Sequence, residues 1–162
     1  MGVADDLLRL ANSLADPALS DPEQVWLRRS ISTSYYALFH LLVGEAVQAW
    51  SGSPAARLGL ERAFQHQNMN GVSRAVGQGS WRGWSTPPPP VATELRDVAT
   101  AFVDLQDARH QADYDNAKTW TPREAREKIT VAQTAFQNWE KIRNDPAANE
   151  YLLSLLAGKK RE

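Results

Sequence analysis

The stretch that decides the fold is Arg28-Arg29-Ser30-Ile31-Ser32-Thr33-Ser34-Tyr35-Tyr36-Ala37-Leu38-Phe39-His40. Its apolar positions do not alternate, as a half-buried strand requires, but return every three or four residues. Leu27, Ile31, Ser34, Leu38 and Leu41 step by four, three, four and three, and Tyr35, Phe39 and Leu42 widen the stripe. One side of a long helix, expected over 22–50, therefore faces a core. Beside it Arg29, Thr33, Tyr36 and His40 form a second line of hydrogen-bonding side chains, at spacings of four, three and four.

Outward from this helix the same periodicity recurs. Leu95, Val98, Phe102 and Leu105 make the seam of a helix expected over 91–116. Ala125, Ile129, Ala132, Phe136 and Trp139 make that of another over 122–144. A weaker stripe of Leu60, Phe64 and Gln67 suggests a helix over 54–76, and short helices over 3–15 and 146–157 read as lids. Several starts are marked by capping side chains beside prolines: Ser20-Asp21-Pro22-Glu23, Ser53-Pro54, Thr121-Pro122-Arg123-Glu124 and Asp145-Pro146. Proline suits a first helical turn because its missing N–H would have had no intrahelical partner. A serine or threonine three residues before glutamate can exchange hydrogen bonds with it across the helix start. No segment alternates like a strand, and no internal repeat occurs. The pattern predicts an all-α chain: a four-helix up-and-down bundle with short additional terminal helices, one domain over 1–162 with its core at about 20–145.

Composition narrows the function classes. A chain of 162 residues fits one domain. Cysteine is absent, so disulfides, thiolate metal sites and cysteine nucleophiles are excluded. The net charge of −1 lacks the basic footprint of bulk nucleic-acid binding, so any RNA contact is local. The basic Lys159-Lys160-Arg161 near the C-terminus reads as a solvated tail. No apolar run approaches the roughly 20 residues that span a bilayer, and the N-terminus does not resemble a signal peptide. A cytoplasmic, membrane-free protein is expected. His40, His66 and His110 fall on three different helices, which argues against a metal centre. No glycine-rich phosphate loop occurs, and no cofactor is expected.

Residues 77–90, GQGSWRGWSTPPPP, form the one long irregular segment. Glycines loosen its first half and four prolines stiffen its second. Trp81, Arg82 and Trp84 can stack on bases, anchor a protein partner, or fold back to cap the helices.

The remaining chemistry centres on Arg109. Four residues beyond Leu105, it continues the inward seam of its helix. A guanidinium there needs an anionic companion, either Asp107, Asp113 or Asp115 from the chain or a bound phosphate.

Two segments carry a family resemblance. Arg28 to His40 resembles the "RxAxxxxYYAxFH"-type segment of a branch of the HEPN superfamily, and Arg109-His110-Gln111-Ala112-Asp113-Tyr114 resembles that branch's "RxxADY" motif. Phe64-Gln65-His66 fits the intervening helix, and the similarity spans roughly 20–145. The resemblance implies a helical bundle, commonly a homodimer, linked to RNA or nucleotides. Arg109, Asp113, Tyr114, Tyr36, His40 and Arg29 are the candidate contacts, and a nucleotidyltransferase is the implied protein partner.

Many members are metal-independent ribonucleases with a histidine four to six residues after the arginine. Here those positions hold Asp113, Tyr114 and Asp115. A tyrosine of ordinary pKa near 10 is a poor base at neutral pH. The primary expectation is therefore a binding module in a toxin–antitoxin or defence system. The alternatives are a divergent ribonuclease, with Arg109, His40 and Tyr114 as catalytic candidates and His40 or His66 supplying the imidazole, and a structural interaction bundle.

Overall fold

A computed structural model describes residues 2–16, 23–50 and 52–156. Among them are seven helices and no strand: α1 (Val3–Leu14), α2 (Gln24–Trp50), α3 (Pro54–Ala63), α4 (His66–Gln78), α5 (Ala92–Tyr114), α6 (Pro122–Ile142) and α7 (Pro146–Leu156). The all-α expectation is met. None of these helices is long and apolar enough to cross a membrane.

Three of the capping arrangements form as their chemistry dictates. The Thr121 N–H donates to Glu124 Oε2 at 2.8 Å, and the Glu124 N–H donates to Thr121 Oγ1 at 3.1 Å. Ser53 Oγ accepts from the Ala56 N–H, and Asp145 Oδ1 from the Ala147 N–H. The fourth, at Ser20–Pro22, lies outside the described residues.

The single helix expected over 54–76 is two. Phe64 and Gln65 are extended, with φ/ψ of −75°/128° and −120°/127°. The break buries the Phe64 ring, whereas α3 itself buries none of its residues. The stripe through Leu60, Phe64 and Gln67 therefore never forms: Leu60 is half-buried and Gln67 exposed.

The chain divides into two compact units, Met1–Leu41 with Ala101–Gln137, and Leu42–Thr100 with Asn138–Glu162. Helices α2, α5 and α6 each supply a segment to both. In the first unit, Ala11, Leu27, Ile31, Ala112, Trp120 and Ile129 belong to one core cluster. Its alanines let backbones approach, and the buried Ser30 hydroxyl ties α2 to the Ala11 carbonyl at 2.8 Å.

The second unit is built on aromatic rings. Tyr151 is fully buried, its hydroxyl 2.7 Å from Ser73 Oγ, and burial pushes its phenol above the ordinary range while the Ser73 bond pulls the other way. Trp139 and Trp81 lie edge-on or tilted against it, each with ring centroids 6.5 Å away. Helix α4 ends at Gly79, whose φ of +76° suits glycine, with the Ser80 N–H donating to the Ala75 carbonyl. The chain then turns Trp81 inward.

Candidate functional site around Arg109

Helix α5 ends with unpaired carbonyls and no basic residue in its last turn. The missing positive charge comes from α2. The Arg28 guanidinium donates to the carbonyls of Ala112 and Asp115, each at 2.9 Å, and to that of Lys118. One turn earlier, Gln24 grips Trp120 twice: its amide donates to the Trp120 carbonyl at 2.6 Å and accepts from the Trp120 N–H at 2.8 Å. The α5–α6 loop is thus held by two side chains from the first turns of α2.

Arg109 sits nearby on α5, its side chain 18% exposed. The inward arginine has the anionic companion its position requires: Nε donates to Asp113 Oδ2 at 3.2 Å. Asp113 lies near the negative end of the α5 dipole, an unfavourable place for a carboxylate. Arg109 and the Ser32 hydroxyl, 3.3 Å from the same oxygen, hold it there. The guanidinium carbon lies 5.6 Å from the Tyr35 ring centroid and 5.3 Å from that of Tyr36. This stacking fixes the guanidinium, and the ion pair engages one of its five N–H donors.

Tyr35 is buried, and burial pushes its phenol well above the ordinary range; Arg109 lowers it and Tyr36 raises it further. Tyr35 therefore stays protonated and serves as packing. Tyr36 is half-buried, while Arg29 and His40 are exposed on the same helix. Thr33, the remaining member of that line, is buried and bonded to the Arg29 carbonyl. The His40 ring stands edge-on to Phe39, centroids 5.3 Å apart. His110 packs against Tyr114 at 5.1 Å, and Tyr114 is 64% exposed. Arg109, Asp113, Tyr36 and Ser32 are thus brought together, with His110 and Tyr114 paired on the adjacent face of α5.

The loop residues lie in the second unit, where Trp81 packs inward. Trp81 is 8% exposed, stacks edge-on against Trp84 at 5.2 Å, and donates through Nε1 to Ser154 Oγ at 3.3 Å. Gly83 makes this possible, since a Cβ there would overlap the Trp81 ring. Trp84 is half-buried and Arg82 exposed. No group of histidines and carboxylates suited to a metal ion occurs among the described residues.

The side chains that do most to build this region, Arg28, Gln24 and Ser32, were not among the sequence candidates. Ser32 is detectable in principle, lying one residue from the line of Arg29, Thr33 and Tyr36. Arg28 and Gln24 act on backbone atoms and leave no pairing signal in the sequence. Comparison with protein-family models, with curated proteins and with solved structures finds no match for this chain.

Proposed function

We propose that the chain is a HEPN-like module that binds RNA or a nucleotide through Arg109, as a homodimer, in a toxin–antitoxin or defence system with a nucleotidyltransferase partner. The observation that carries this reading is the stacked guanidinium. Arg109 is held over Tyr35 and Tyr36 and spends only its Nε–H on Asp113. A guanidinium pinned by ring faces keeps its outer edge for a bidentate phosphate contact. Tyr36 and Tyr114 are the rings that bases would stack on, and Arg29 is a second cation exposed on α2.

The carboxylate of Asp113 limits the anion's approach, so the expected affinity is modest and its salt dependence shallow. One or two phosphate contacts correspond to a slope of about −1 to −2 in log K against log salt. The test is fluorescence anisotropy with a labelled single-stranded oligoribonucleotide and a labelled mononucleotide, without metal. Arg109→Ala is expected to weaken binding by about tenfold or more, the loss typical of a charge-assisted bidentate contact. Binding unchanged by that substitution, or none by the wild type, rejects the proposal. Metal-free cleavage leaving 2′,3′-cyclic phosphate ends would instead identify the divergent ribonuclease.

A further inference from the structure

Helix α1 carries more apolar surface than the first unit uses. Its apolar residues fall in two lines. Ala4, Leu8, Ala11 and Ala15 turn inward, where the alanines are buried and Leu8 packs against the core cluster. Val3, Leu7, Leu10 and Leu14 form the second line, at steps of four, three and four, centred about 100° around the helix from the first. The larger side chains are thus on the outer line: Val3 is 62% and Leu10 48% exposed, with Leu7 and Leu14 half-buried.

The open line borders α2. On one flank of α1, Asn12 meets Gln133 of α6, and the open line lies on the other. There the Ser30 hydroxyl, bonded to the Ala11 carbonyl, fixes which face of α2 meets α1. Trp26 stands one turn earlier on that face, 46% exposed, and extends the patch. Apolar surface gathered in this way marks an interaction site. Steps of four and three are those of a coiled-coil seam. The order of steps is the same in reverse. A second copy turned end for end therefore sets Leu7 against Leu10 and Val3 against Leu14, each pair twice, as a two-fold contact requires. Two such faces with Trp26 bury about 1,000 Å² in total, the lower end of what a specific interface needs. A lipid surface fits less well, because the polar side of α1 holds Asp5, Asp6 and Asp16 against one cation, Arg9.

We propose that α1 and the start of α2 form the two-fold interface of a weak homodimer, in which α1 runs antiparallel to its copy. This rests on the homodimer of the reading above, and not on Arg109. Sedimentation of the full chain at micromolar concentrations is expected to show a reversible dimer. Leu10→Glu places a charge in the seam and is expected to raise the dissociation constant about tenfold or more. Leu153→Glu, at an equally exposed leucine of α7, leaves it unchanged.

Because the chain has no cysteine, Leu10→Cys and Val3→Cys each carry a spin label at one place. In the antiparallel pair the two copies of residue 10 are offset along the axis by about 4.5 Å and those of residue 3 by about 16.5 Å, at 1.5 Å per residue. Electron-spin distance measurement is therefore expected to find the labels at 10 closer together than those at 3. Equal distances at the two positions overturn the proposal. A dimer that Leu10→Glu does not weaken overturns this interface and leaves the homodimer standing, whereas a monomeric wild type removes both. Should Leu10→Glu fail to fold, the two label distances decide.

Discussion

Arg28 and Arg29 are neighbours of identical chemistry with different work to do. Arg28 closes the end of α5 by donating to three carbonyls, whereas Arg29 is exposed. Replacing Arg28 by methionine keeps much of the stem's packing and abandons those carbonyls. The expected loss is about 3 kcal/mol, which for a chain of this size lowers Tm by about 6–12 °C. Arg29→Met is expected to stay within about 0.5 kcal/mol, as exposed sites do. Thermal melts of the two variants check the pair. Nothing in the sequence ranks one arginine over the other, because the partners of Arg28 are backbone atoms that carry no residue signature. Arg109 was legible for the opposite reason: its position on a seam and an aspartate four residues on are both written in side chains.

Elements follow local chemistry where capping decides them and fail to where burial does. The start of α6 was readable because threonine and glutamate three apart satisfy each other's backbone donors. The break between α3 and α4 was not, because the gain lies in burying the Phe64 ring, and the burial of one ring leaves no periodic mark in the sequence. The α6 cap also carries a pH dependence. The Thr121 backbone N–H, with help from Lys118 and the Thr121 hydroxyl, draws the Glu124 carboxyl below its ordinary value of 4.5, and burial opposes them. A lowered folded value means that the stabilisation is complete above pH 4.5 and lost as pH falls through the lowered value. Glu124→Gln is expected to flatten the fall of the urea midpoint below pH 4.5, and an unchanged slope would contradict this.

At the scale of the whole molecule, two units share three uninterrupted helices. Nucleating a helix is costly and extending one is cheap, so the short segments that α2, α5 and α6 supply to the second unit are favoured by turns already formed in the first. Far-ultraviolet circular dichroism and tryptophan fluorescence are therefore expected to report one coincident thermal transition. Two separated transitions would show that the shared helices do not couple the units. The division itself could not be read from the sequence: periodicity reveals which face of a helix is buried, but not where along its length the neighbours change. The seam of α5 looks uniform from Leu95 to Leu105, yet Leu95 and Val98 belong to one unit and Phe102 and Leu105 to the other.

Helix α3 contributes no side chain to either interior. Evolution and engineering alike have latitude at such a place, where added residues displace no packing and segment length is tolerated thermodynamically. A peptide tag inserted at Gly52, an exposed non-helical residue ahead of α3, would leave the helix register and the buried residues as they are, which makes this stretch the natural handle for immobilising the protein.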